Sequence, residues 1–342
     1  MGRTGEPGQG AGTFTSNDAT NERREMIHGH RILITGGAGF IGTAILKRLL
    51  PRNKVVVYDN LRRDALQFFP HRNHRNLEMI QGDILDREEL RRAVDGVDTV
   101  IHLAAIAGVS SYYRMPRRTM EVNLIGTYNV LESVREMKIY RFLDFSTSEI
   151  YGPHIFRAAE DGGTHQGNIK DPRWTYAISK LAAERFSWCY QHELGLPVVS
   201  VRPFNIFGPG QVGEGAIQIF IRQALTNKPI TITGDGVQIR AWCYITDMVD
   251  AVLRALERPE AVGETFNIGN PENTVTMVGL AKTIRRLTKS KSRLRFSPHQ
   301  GVDVDLRVPS IKKAQRLLNF KPKVDMEDGL VKTIKWYKEH SF

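Results

Sequence analysis

Seven residues, Gly36-Gly37-Ala38-Gly39-Phe40-Ile41-Gly42, constrain the fold of this chain more than any others. They follow a short apolar run, Arg31-Ile32-Leu33-Ile34-Thr35. They open a segment with Phe40, Ile41, Ala44, Ile45 and Leu49 on one helical face. A strand, a glycine turn and an amphipathic helix in that order begin a βαβ unit. Glycines permit the tight turn and let a diphosphate approach the backbone, and the helix N-terminus adds free N–H groups at the positive end of its dipole. Gly36, Gly39 and Gly42, with Phe40 and Ile41 at the helix start, form the candidate diphosphate cradle.

Val55-Val56-Val57-Tyr58-Asp59 reads as the next strand. Asp59, with Asn60 beside it, stands where an acid binds the ribose hydroxyls of an adenosine. Its charge opposes a 2′-phosphate, so NAD is favoured over NADP, although Arg62 and Arg63 follow closely. Gly82-Asp83-Ile84 follows a third strand, which puts Asp83 and Ile84 near the adenine. Further strands read at 77–80, 99–103, 141–146 and 198–201, with Leu103 ending the fourth and helical patterns between most of them. Continuous apolar strands alternating with helices indicate an α/β fold: a Rossmann-type, doubly wound parallel sheet covered on both faces. Residues 29–204 therefore read as the NAD-binding domain. After Arg202 glycine, proline and short polar segments increase, and 205–342 reads mainly as a smaller substrate lobe. A strand near 265–268 is expected to return to the main sheet. Residues 1–28 are polar, Gly-rich and aperiodic and read as a flexible tail, with His28 and His30 solvated.

The net charge is +11, from 48 Lys and Arg against 37 Asp and Glu. The arginines are scattered in pairs rather than set in a stripe, and no zinc-finger or RNA-binding signature accompanies them. Attraction for an anionic small molecule fits this better than nucleic acid. No apolar run approaches the roughly 20 residues of a membrane helix, and the N-terminus has no apolar signal core. The two cysteines, Cys189 and Cys243, suit a reduced cytoplasm, the expected location. No metal site is expected.

Tyr176 and Lys180 lie four residues apart, on one face of a predicted helix. An ammonium beside a phenol favours the phenolate, and a tyrosine so tuned removes a hydroxyl proton while hydride leaves the same carbon.

The chain resembles the extended short-chain dehydrogenase/reductases that act on nucleotide sugars: epimerases, dehydratases and decarboxylases. Beyond the glycine loop and Tyr176/Lys180, the resemblance rests on His102-Leu103-Ala104-Ala105, Asn123-Leu124-Ile125-Gly126-Thr127, Ser146-Thr147-Ser148-Glu149-Ile150-Tyr151-Gly152, Arg202-Pro203-Phe204-Asn205 and Gly234-Asp235-Gly236-Val237-Gln238-Ile239-Arg240. Within that family the UDP-glucuronic acid decarboxylases, including the UDP-xylose synthases, are the most similar. Thr147-Ser148-Glu149 matches their active-site loop, where dehydratases carry Asp at Ser148. Asp305-Leu306-Arg307-Val308-Pro309 looks like their C-terminal segment bearing an arginine. Tyr112 stands where they tend to have tyrosine, and Ser110 where uronate 4-epimerases carry arginine. Arg173-Trp174 is similar to the decarboxylase domain of the aminoarabinose pathway.

The resemblance implies NAD as cofactor, a UDP-sugar substrate and a homodimer built on the helix near 118–135 and the one bearing Tyr176. It makes Thr147, Glu149, Tyr176, Lys180 and Arg307 the catalytic set. Tyr112, Ser148, Asn205, Arg240 and Arg307 become the substrate contacts. The expected reaction is oxidative decarboxylation of UDP-glucuronic acid to UDP-4-keto-xylose, UDP-xylose or both. A UDP-hexuronate or UDP-hexose 4-epimerase, and a non-catalytic NAD-binding sensor, are the alternatives.

Overall fold

A computed structural model describes residues 27–298 and 301–340. The strands, in chain order, are β1 (Arg31–Thr35), β2 (Lys54–Asp59), β3 (Leu77–Gln81), β4 (Thr99–His102), β5 (Arg141–Phe145), β6 (His154–Ala158), β7 (Val198–Pro203), β8 (Ile206–Phe207), β9 (Ile230–Thr233), β10 (Ile239–Ala241), β11 (Cys243–Tyr244), β12 (Thr265–Ile268), β13 (Thr274–Thr276), β14 (Leu294–Ser297) and β15 (Leu306–Pro309). Seven of them form a sheet in the order β12-β7-β5-β4-β1-β2-β3, with every pairing parallel. Valine, isoleucine and leucine runs suit such strands because both faces are covered. Along β1, Ile32 and Ile34 enter one core cluster and Leu33 the other, as the two-residue period of a strand requires.

The chain runs outward from β1 in two directions, through β2 and β3 on one side and through β4, β5, β7 and β12 on the other. The carboxyl ends of β1 and β4 therefore flank a crevice at the point where the strand order reverses, the place where such sheets bind ligands. Gly36 shows how tightly this point closes. Its φ is +71°, and a Cβ on it would lie 2.6 Å from the Ala104 nitrogen. Gly42 packs the helix Phe40–Leu49 against the same turn, where a Cβ would lie 2.5 Å from the Gly37 carbonyl oxygen.

A second sheet has the order β13-β10-β15-β6, with β15 parallel to both β10 and β6. Two short pairs, β8 with β11 and β9 with β14, complete the strands of this half. The halves interleave. β6 precedes residue 204 yet lies in the second sheet, whereas β12 follows it yet edges the first. The helix Arg173–Leu194 spans 22 residues and stops at Gly195, whose φ of +69° and N–H bonds to Gln191 and Tyr190 carbonyls make a left-handed cap.

The tail expected over 1–28 lies outside the described residues as far as 26. Ile27 is buried in the core and donates its N–H to Glu257. His30 departs from its expected solvation: its ring lies 2.9 Å from an Asp98 oxygen and against Tyr140. No helix among the described residues is long and apolar enough to cross a membrane.

Replacing Gly36 by alanine puts a Cβ against backbone at positive φ. We expect a loss of at least about 1 kcal/mol of stability, together with weakened NAD binding. Denaturant unfolding and cofactor titration of the same variant check both.

Candidate active site

The crevice holds a cavity of about 550 Å³ lined by Gly36, Gly39, Phe40, Ile41, Gly42, Asp59, Asn60, Asp83, Ile84 and Leu103. The structure thus brings ten of the residues expected to bind cofactor to one wall. Asp59 accepts the N–H groups of Ala38 at 3.0 Å and Leu61 at 2.8 Å, so it also braces the glycine turn. Burial raises its pKa above the ordinary value. Asp83 accepts the Leu85 N–H and pairs with Arg118 at 2.6 Å.

Behind this wall Asn123 fixes the segment after β4. Its carboxamide accepts the Ile106 N–H at 2.7 Å, and its amide donates to the Ile106 carbonyl and to Ser179 on the long helix. His102 sits between the hydroxyls of Thr35 and Thr127. Burial and the Lys180 charge push its pKa down to about 3, so it is a neutral structural link.

β5 delivers the reactive loop. Thr147 caps the short 3-10 helix Ser148–Tyr151, its hydroxyl accepting the Glu149 N–H at 3.2 Å. The same hydroxyl acts on Tyr176, drawing its pKa down. Burial pushes the Tyr176 phenol up to about 12; Thr147 and Arg63 pull it down, while Glu149 pushes it up. Lys180 is 2 % exposed, and burial lowers its pKa against the pull of Asp144 and Glu184. Among the charges acting on Tyr176 is Arg63, which draws its pKa down.

Glu149 is held by two arginines. One carboxylate oxygen lies 2.5 Å from Arg307 on β15, and the other 2.6 Å from Arg173 at the start of the long helix. Burial opposes its charge, but Arg307 and Arg173, with Arg240 farther off, hold its carboxyl down at about 2. Arg307 is 2 % exposed and also donates to the Gly152 carbonyl, while its Nε has no hydrogen-bond partner. Arg173 donates to the Tyr112 hydroxyl, and the Tyr112 ring stacks on Tyr176 at 6.1 Å and 13°. Arg240 reaches Asp303 at 3.4 Å. Burial and Arg307 lower its pKa to about 10. Three guanidinium groups thus meet two carboxylates, an imbalance that favours one more anion.

Ser148 is buried beside this cluster. Asn205, at φ +41°, donates its side-chain amide to the Ala241 carbonyl, so that part of its amide is spent on joining the chain after β7 to β10.

Sequence reasoning overlooked Arg63 as a neighbour of Tyr176, Arg173 as a ligand of Glu149, and Asp144. Asp144 had a signal: it is a lone acid in the otherwise apolar end of Arg141-Phe142-Leu143-Asp144-Phe145. It is fully buried, and burial raises its pKa to about 6 against the pull of Lys180.

Comparison with known proteins places this geometry. The family model described as the NAD dependent epimerase/dehydratase family matches residues 32–269. A UDP-N-acetyl-alpha-D-glucosaminuronate decarboxylase of Bacillus cytotoxicus is 34% identical over 90% of this chain and 98% of its own. UDP-glucuronic acid decarboxylase 1 of Danio rerio is 35% identical over 90% of this chain and 72% of its own. The structure of a UDP-glucuronic acid 4-epimerase from Bacillus cereus, in complex with UDP-glucuronic acid and NAD, superposes with a TM-score of 0.83 at 29% identity, covering 90% of this chain and 99% of that one.

The depressed Glu149 pKa makes a pH prediction. Because the folded value lies below the ordinary 4.5, the contribution to stability is complete above that pH and is lost as pH falls toward about 2. Unfolding curves of the wild type should weaken through this window, and Glu149→Gln should lack that component of the slope.

Proposed function

Since the chain belongs to the NAD dependent epimerase/dehydratase family, with NAD as its cofactor, we propose that it oxidises and decarboxylates UDP-glucuronic acid, giving UDP-4-keto-xylose, UDP-xylose or both. The observation that carries this reading is the cluster of Arg307, Arg173 and Arg240 around Glu149, beside Thr147 and Tyr176. A UDP-hexose offers this spare positive charge only its diphosphate, whereas a UDP-uronate also brings a carboxylate on the sugar itself.

The glycine crevice fits the cofactor. Its turn leaves no room for a Cβ at Gly36 or Gly42, and Asp59 stands at the ribose end. When bound, NAD supplies the acceptor for the hydride of C4 and can return it. Tyr176 takes the proton of the 4-hydroxyl as that hydride leaves. The resulting 4-ketone lies β to the 6-carboxylate, so the C5–C6 bond can break with release of CO2. The electron pair then passes to O4 as an enolate. Thr147 and the protonated Tyr176 hydrogen-bond that oxygen. Arg307 pairs with the departing carboxylate, and a proton reaches C5 from Arg307 or water. Glu149, held ionised, orients the sugar and keeps Arg307 and Arg173 in place.

The homologue names support decarboxylation, whereas the Bacillus cereus neighbour favours a second reading, 4-epimerisation of a uronate. Both begin with the same oxidation and differ in whether C5–C6 breaks. The exposed Phe186 and Ile125, on the long helix and the helical segment of residues 116–134, support a homodimer as part of the proposal. Cys189 and Cys243 are both free, which supports a cytoplasmic setting.

Incubation with UDP-glucuronic acid and NAD, followed by chromatography and mass spectrometry, should show a pentose product lacking CO2; a hexuronate of unchanged mass but altered retention means epimerisation. Tyr176→Phe should lower turnover by at least about 100-fold while UDP binding persists. Arg307→Ala should slow CO2 release much more than nucleotide binding, and an unchanged rate would remove Arg307 from the chemistry.

A further inference from the structure

Three segments meet across the mouth of the cofactor crevice. Arg62 and Arg63 follow β2, Ser110 and Ser111 belong to the short helix Val109–Arg114, and Glu214 precedes the helix Ala216–Leu225. Glu214 is their hub. It accepts the N–H of Ser110 at 2.9 Å, its hydroxyl at 2.5 Å and the Ser111 hydroxyl at 3.2 Å, and it pairs with Arg63 at 3.5 Å. Arg62 donates to the same Ser111 hydroxyl at 3.2 Å.

Arg63 runs through a slot made by two glycines. A Cβ on Gly108 would lie 2.8 Å from its Nη2, and one on Gly213 would lie 2.8 Å from its Nε. Both glycines have positive φ, +105° and +95°, so a larger residue is disfavoured twice over, by backbone strain and by contact. Arg62, Arg63 and Glu214 all line the 550 Å³ cavity. The three hydroxyl and N–H donors and Arg63 outweigh the burial that opposes the Glu214 charge, so the carboxylate stays ionised.

We propose that Glu214 and Arg63 form a clasp over the cofactor crevice that sets how long NADH stays bound, and thereby which sugar leaves. The clasp bridges a loop of the dinucleotide half to a loop of the sugar half, so a dinucleotide beneath it leaves only when these bonds open. If NADH remains, its hydride returns to C4 and the product is UDP-xylose. If NADH departs first, UDP-4-keto-xylose and NADH leave in equal amounts. The sugar outcome rests on the function proposed above; the effect on cofactor release does not.

The test is a stopped-flow measurement of NADH fluorescence as excess NAD displaces NADH from the full chain, with no sugar present. Glu214→Ala should speed release by about tenfold or more, since most affinity changes within one site appear in the off-rate. Glu214→Gln and Ser110→Ala, which keep part of the network, should show smaller accelerations. With UDP-glucuronic acid, the share of 4-keto product should rise in the same order. Release within about twofold of wild type in Glu214→Ala, with an unchanged melting curve, overturns the clasp. Should that variant fail to fold, wild-type release from both Glu214→Gln and Ser110→Ala overturns it instead. If no variant and no wild-type protein turns over the sugar, the functional reading fails, and the release rates still decide the clasp.

Discussion

The carboxylate of Glu149 is the contact on which the arrangement of the candidate site depends. It stands just after β5 of the central sheet, yet it is gripped by Arg173 from the long helix and Arg307 from the second sheet. Three parts of the molecule, distant in sequence, therefore converge on two oxygen atoms. The geometry that sets Tyr176 beside Thr147 follows from the same contact, because Arg173 begins the helix that carries Tyr176 and also holds Tyr112 against its ring. A buried ion pair of this kind adds little net stability, since desolvation offsets the attraction. Losing one partner leaves an uncompensated charge and is costly. Its contribution is one of arrangement.

A second buried pair backs the first. Arg202 on β7 meets Glu184 on the long helix at 2.6 Å and donates to the Tyr151 hydroxyl, which in turn donates to Asn267 on β12. Helix, reactive loop and edge strand are tied by one chain of hydrogen bonds. Such chains strengthen in a low-dielectric interior when every member is satisfied. Glu184 of this chain and Asp144 both act on the buried Lys180, raising its pKa against the effect of burial.

Much of this was legible in the sequence. The glycine turn between an apolar strand and an amphipathic helix is a local pattern, and the structure places Gly36, Gly39, Gly42 and Asp59 around one cavity. Thr147, Glu149, Tyr176 and Arg307 were nameable because motif residues keep their order. What was not legible is pairing across long separations. Glu149 and Arg307 are 158 residues apart, and Arg63 and Glu214 are 151 apart. No periodicity encodes such contacts. The Tyr-x-x-x-Lys spacing placed both residues on one helix but gave no sign of the buried Asp144 that acts on Lys180. His30 was misread for the same reason, because its partner Asp98 lies on another segment.

The exchange of strands between the two halves has a temporal meaning. During synthesis six strands of the central sheet can assemble early, but its outer edge waits for β12, and Glu149 waits for Arg307 on β15, near the end of the chain. Until then β7 presents an unpaired edge and Glu149 lacks one of its two cations. The nascent protein can therefore form its dinucleotide crevice well before the arginine cluster around Glu149 is complete. For the same reason the second half cannot be exchanged as a cassette: any graft would have to carry β6 out of the first half and leave β12 behind in it.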